Sequence, residues 1–266
     1  MIGRDPRRQG LTERMNSWVE LLLAALFVGL LLAAVDIGRW LAGRHLERGS
    51  AHTIDAGAIQ GAMLGLLALL LGFSFGGASS RFVERQDLVV ADASAIQSAW
   101  LDADLLGSSG ADSLKRELET YLAHRLTYAA DDVAARGAEL NDSERRLDRL
   151  WRVTVEADAE APELKAETLR SVQALFDVLD RRVAAAHKHL PVAILALLVI
   201  CSLLTLMVIG YSGRLDGHRR VLLTRVLAVL IASALLATVD MDHGRIGLIQ
   251  VSDAPLVRLA EQRLQP

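Results

Sequence analysis

Three kinds of residue in this 266-residue chain are placed to do chemistry: small residues at helical spacing, two neighbouring phenylalanines, and arginines beside apolar stretches. The small residues are Gly57, Gly61, Gly65, Ala68, Gly72 and Gly76, and their intervals of three and four put all six on one face of a helix. A face without side-chain bulk lets a second backbone approach closely; the other reading is that it lines an axial conduit. Phe73 and Phe75 share the run. Either ring packs in the ordinary way, or it forms an apolar constriction of the sort that gates by dewetting. Arg81 and Arg85 follow this run, and Arg225 lies about one turn inside another. A guanidinium so placed either snorkels to the membrane surface or draws an anion to a pore mouth.

Other combinations carry less chemistry. His187 and His189 alternate and so fall on different helix faces, and Asp240-Met241-Asp242-His243 offers two carboxylates, too few for a cation without a formed loop. No glycine-rich dinucleotide turn, Walker loop, His-Glu-x-x-His or Cys-x-x-Cys occurs. The expectation is therefore a protein that is not an enzyme and has no cofactor or metal. Cys201, the sole cysteine, lies inside an apolar run and reads as a small core residue, with no intramolecular disulfide possible. Net charge is −3, with acidic side chains in excess between residues 81 and 190 and basic ones in excess elsewhere. That pattern suits anionic lipid head groups beside the membrane flanks and gives no footing for nucleic acid.

The elements that must position these residues follow from hydropathy. A chain 52% hydrophobic yet 23% charged must concentrate its apolar residues. They fall in runs 18–37, 58–77, 191–211 and 221–239, each near the roughly 20 residues that a spanning helix needs. The prediction is an all-α integral membrane protein with four transmembrane helices in two hairpins and a helical soluble insert between helices two and three. Its parts are a basic N-terminal segment (1–17), a first hairpin (18–80), the insert (81–190), a second hairpin (191–239) and a polar tail (240–266). Arg4, Arg7, Arg8 and Arg14 imitate the start of a secretory signal, but the apolar core is too long and lacks a cleavage site, so an uncleaved anchor is expected. A polar connection from 38 to 55 joins the first pair of helices, and a tight turn over 211–217 joins the second. Four crossings put the N-terminus, insert and tail on one side. Arg81, Arg85, Arg181, Arg182 and Lys188 beside the membrane favour the cytoplasm for it.

Within the insert, no proline or glycine interrupts residues 81–106, so helix two should continue beyond the membrane and stop at Gly107-Ser108-Ser109-Gly110. Apolar stripes starting at Leu114, Leu147 and Leu164 predict three amphipathic helices. Asn141 or Asp142 would cap the second, Pro162 would sit in the first turn of the third, and Pro191 should kink or break the chain before the third crossing.

The segment Leu69-Leu70-Leu71-Gly72-Phe73-Ser74-Phe75, running into Ala78-Ser79-Ser80-Arg81-Phe82 and Arg85-Gln86, resembles the signature of the DUF4239 family, the bestrophin-like domain proteins. Leu88-Val89-Val90, Asp92-Ala93-Ser94-Ala95-Ile96 and Asp104-Leu105-Leu106 extend the likeness, and the tail from Asp240 to Ser252 resembles the family's ending. The chain departs from the pattern at Asp92, Ser94 and Gln97, where glutamate, asparagine and glycine are usual, and at His243 or Gly244, where proline is common. Bestrophins are pentameric anion channels with two membrane hairpins around a cytosolic helical region. The resemblance implies a homo-oligomer in the lipid bilayer of a bacterial inner membrane, with helix two lining its axis. It also implies Phe73 and Phe75 near a neck, and Arg81 and Arg85 drawing small anions at the inner mouth. No calcium clasp is recognisable, so calcium gating is not implied. The alternative function is a non-conducting membrane scaffold or sensor whose insert binds a cytoplasmic partner.

Overall fold

A computed structural model of the chain describes residues 6–47, 56–106, 108–129, 136–157, 165–215, 221–243 and 248–263. Among them every long element is helical: α1 (Pro6–Glu47), α2 (Ala56–Ala103), α3 (Ser108–Ala129), α4 (Arg136–Ala157), α5 (Lys165–His187), α6 (Val192–Leu215), α7 (Val221–His243) and α8 (Ala254–Arg263). Four helices are long and apolar enough to cross a membrane, as the apolar runs predict. The chain divides into two units, one of Met1–Ser80 with His189–Gln250 and one of Arg81–Lys188 with Val251–Pro266. Helix α2 contributes to both. Its 48 residues run unbroken through Gly76-Gly77 and make roughly 70 Å of helix, more than twice a bilayer's hydrocarbon core of about 30 Å.

The first unit is held by the crossing of α1 with α6, and both also meet α7. Leu31, Ala34 and Val35 of α1, Leu67 of α2, Leu198 and Leu206 of α6, and Ala228, Ile231 and Leu235 of α7 form its core. Lipid tails are as apolar as these side chains, so the hydrophobic effect does little between the helices, and close packing does the holding. The closest approach is made by two glycines that hydropathy does not single out. A Cβ on Gly38 would run into the Met207 carbonyl oxygen, and one on Gly210 into that of Val35. Gly38 therefore does not open a polar connection: α1 continues through it to Glu47 because the glycine is where α6 comes in. Likewise Tyr211, Ser212 and Gly213 belong to α6 rather than to a turn. The Tyr211 hydroxyl lies 3.0 Å from His45 Nδ1 and so ties the end of α6 to α1. Buried hydroxyls satisfy themselves on the preceding turn, Ser202 on Leu198 and Thr238 on Ala234, as a polar group in hydrocarbon must. The chain is non-helical from Lys188 to Pro191, the break that Pro191 predicts. Here the Leu190 amide donates to Asp242 Oδ2 at 2.9 Å.

In the second unit the C-terminal half of α2 packs with α3, α4, α5 and α8 around Ile96, Ala99, Trp100, Leu118, Leu147, Leu150, Val172 and Leu175. Helix α2 stops at Ala103, before the glycines read as its stop. Its last turn tightens as the Leu105 and Leu106 amides donate to the carbonyls of Asp102 and Ala103. Gly110 lies inside α3, where an added Cβ would press on Ala157 of α4 at 2.9 Å. Asn141 and Asp142 do not cap α4, which begins earlier at Arg136. The end of the polar tail holds α8, an amphipathic helix that buries Leu256, Leu259 and Ala260. Gly107, Pro162, residues 216–220 and Gly244 lie outside the described residues, as do the side chains of the N-terminal arginines.

Candidate functional site: the outward face of helix α2

The membrane part of α2 has two unlike faces. Leu67, Ser74 and Ala78 are buried and turn inward. Gly57, Gly61, Gly65, Ala68, Gly72 and Gly76 are all exposed on the opposite face. Among the described residues no atom lies within 4 Å of a Cβ built on Gly61, Gly65, Gly72 or Gly76. Among the described residues, then, no other helix approaches the predicted ridge at these four glycines. Beside it runs a bulky apolar strip of Ile59, Leu66, Leu69 and Phe73, with Phe73 73% exposed. Phe75, 44% exposed, lies on the other flank, because residues two apart differ by about 200° around a helix. This face carries no charge and no exposed hydroxyl between Gly57 and Gly77. It can accept a backbone or border a narrow path, but it cannot hold an ion by direct coordination.

Arg81 and Arg85 follow on α2 in the second unit. Both are half-buried. Arg85 Nη2 donates to the Lys188 carbonyl at 2.9 Å, just past the end of α5, where a cation meets the negative end of the helix dipole. Lys188 in turn pairs with Glu84 at 2.6 Å. One residue on, the Gln86 amide clamps the backbone of Ser252: Nε2 donates to its carbonyl at 3.1 Å, and Oε1 accepts from its amide at 2.9 Å. Arg225 belongs to the first unit, where it lies 3.6 Å from Asp36. Asp240 accepts from the amides of Leu248 and Ile249, and Asp242 from that of Leu190, so the two carboxylates serve different strands of backbone. Among the described residues no three histidine, cysteine, aspartate or glutamate side chains gather where a metal ion could sit.

Two polar clusters inside the insert escaped the sequence reading. Asp92 and Arg125 are fully buried, with Arg125 Nε donating to Asp92 Oδ2 at 2.8 Å and Arg182 Nη1 to the same oxygen at 3.4 Å. The signal was present: Arg125 follows Leu118, Tyr121 and Leu122 at stripe spacing, so a charge occupies a core position of α3. Next to it, His124 Nε2 lies 2.8 Å from Asp142 Oδ2, and Arg146 Nε donates to that oxygen at 3.1 Å. Burial pushes the His124 pKa down, and the Arg146 guanidinium adds to this, together outweighing the attraction of Asp142. The imidazole therefore gives up its proton more readily than a free histidine does. For Asp142 burial acts upward, but Arg146 and then His124 prevail and hold its carboxyl below the ordinary range.

By sequence, no curated protein matches the chain. Solved structures do match its fold. A variant of a bacterial bestrophin homologue from Klebsiella pneumoniae superposes with a TM-score of 0.73 at 15% identity, over 92% of this chain and 98% of that one. Another structure of a bacterial bestrophin homologue from the same organism gives 0.73 at 14% identity, over 91% and 99%. The Bestrophin-like domain profile matches residues 21–256. With a profile spanning nearly all of its four membrane helices and its insert, the chain belongs to the bestrophin-like family.

Proposed function

We propose that copies of this chain assemble around an axis bordered by α2 and conduct small anions across a bacterial inner membrane, with N-terminus, insert and tail in the cytoplasm. The observation that carries this reading is the α2 ridge, where among the described residues no neighbouring element lies within 4 Å of a Cβ built on Gly61, Gly65, Gly72 or Gly76. An apolar helix face exposed in this way is suited either to lipid or to another copy, and small residues favour a second backbone. The resemblance to bestrophins supports an axial path beside it. Arg81 and Arg85, with Arg181, Arg182 and Lys188, give the flanking segments a positive field that would gather anions and favour the cytoplasmic side. Phe75 lies about 60° around the helix from Gly72, and Phe73 about 100° the other way, so a ridge turned to the axis brings Phe75 to the path and Phe73 to the neighbouring copy.

Chloride flux into liposomes holding the purified protein tests the proposal. Phe75→Ala is expected to raise the flux at unchanged assembly mass, and Phe73→Ala to weaken assembly. Protein of oligomeric mass that passes no anion at any voltage or pH would remove the conduit and leave a membrane scaffold whose insert binds a cytoplasmic partner.

A further inference from the structure

Arg225 stands at one end of an open groove of about 280 Å³ between α1 and α7. The lining is wholly apolar: the hydrocarbon stem of Arg225, Leu32 from α1, and Val226, Val229 and Leu230 from α7. The guanidinium is 54% exposed, and its neighbour Asp36, at 3.6 Å, is 56% exposed. A contact of that length is an ion pair without a hydrogen bond, so it engages little of the guanidinium's capacity of five N–H donors. Arg225 lies four residues from the start of α7 at Val221, about 6 Å along the helix. That depth matches a lipid head group rather than the acyl region.

A second observation marks the same level. Trp40 and Arg44 follow Asp36 at four-residue spacing on one face of α1, the Arg44 guanidinium 4.0 Å from the centre of the Trp40 ring. An exposed tryptophan stacked on an arginine is an interfacial anchor. Arg44, about two turns beyond Asp36 on α1, adds positive charge to the head-group side of the apolar trough.

We propose that the groove is a binding site for an anionic phospholipid, one acyl chain lying along Leu32, Val226, Val229 and Leu230 and the phosphate on Arg225. The site is independent of whether the protein conducts. Native mass spectrometry of the full chain, offered equal phosphatidylglycerol and phosphatidylethanolamine, reads it directly. Wild type is expected to retain phosphatidylglycerol preferentially. Arg225→Ala should reduce that preference about fivefold, the worth of one basic residue beside an anionic head group, while Arg225→Lys keeps most of it. Val229→Trp, which fills the groove and leaves the charge, should reduce retention of both lipids. Asp36→Asn, which removes the competing carboxylate, should raise phosphatidylglycerol retention, a readout that does not depend on how well the arginine variants fold. Equal retention of the two lipids by wild type would overturn the proposal, as would displacement of the lipid by free glycerol phosphate. So would an Arg225→Ala protein that holds phosphatidylglycerol as wild type does, or a wild type holding no lipid because a second copy covers the groove.

Discussion

Asp92 is the residue on which the insert most depends, since a single carboxylate oxygen answers both Arg125, itself fully buried, and Arg182. Removing one member of a buried charge group leaves the others desolvated, at a cost of about 3–5 kcal/mol. Asp92→Asn keeps the shape and loses the charge. We expect unfolding of the purified protein in detergent to show a loss of that size, and a loss under about 1 kcal/mol would contradict the buried-network account. His124 supplies a pH effect of definite sign. Its pKa is lowered by burial and by Arg146, so as pH falls below about 6.5 the unfolded chain takes up a proton that the folded chain refuses. Stability is complete above that pH and declines on acidification, until the folded-state pKa is passed. Asp142 acts in the same direction at lower pH, because its stabilising charge is lost once the carboxyl protonates. Thermal unfolding at pH 7.5 and 5.5 should show the first decline, and His124→Asn should flatten it. Neither cluster was evident beforehand: pattern reading marks a charge on an apolar stripe as a lapse in the stripe, while its partner is 33 residues away in sequence.

At the scale of elements, the glycines fall into two classes that sequence does not separate. Gly38 and Gly210 are isolated, yet each faces a carbonyl of the opposite helix in the α1–α6 crossing. Among the described residues, Gly61, Gly65, Gly72 and Gly76 of the regularly spaced series in α2 face no neighbouring element within 4 Å. Periodicity found the second class and passed over the first, because a single crossing glycine on each helix makes no pattern and the partner of a crossing is fixed only in three dimensions. The four crossings, the extension of α2 beyond its apolar run and the three insert helices were legible for the opposite reason. Each rests on many residues repeating the same apolar spacing, so that one misread position changes little. Helix ends rested on single residues and moved accordingly: Gly38 is held inside α1 by its packing on α6, and Gly213 lies within α6 rather than ending it. The prediction at this scale is that Gly38→Leu forces α1 from α6. Overpacking of this kind typically costs about 1–3 kcal/mol, and contact with backbone rather than a flexible side chain puts the expected loss at the upper end. Unfolding in detergent measures it, and a wild-type midpoint would show that the crossing is looser than the geometry requires.

For the whole molecule, the question is what covers the outward face of α2, and Gly65 is the position that answers it. Among the described residues no neighbouring element lies within 4 Å of a Cβ built there, so Gly65→Leu should leave helix content and the unfolding midpoint of the single chain near wild type, in contrast to Gly38→Leu. Its effect belongs to the assembly. If the ridge seats the backbone of a neighbouring copy, a leucine holds the two apart, and the mass in mild detergent falls to that of the monomer. If the ridge borders the axis, the mass is kept, and a ring of leucines narrows the path and lowers chloride flux. The two outcomes divide contact from conduit while both require more than one copy. Unchanged mass together with unchanged flux would mean that the ridge faces lipid, and neither the assembly nor the conduit proposed from it would stand. The apolar strip from Ile59 to Phe73 then supplies the control. Leu66→Ala trims bulk on the flank of α2 rather than on the ridge, and it should weaken association only where that flank meets a neighbour. Mass measured for both variants in one detergent thus fixes which side of α2 meets the next copy.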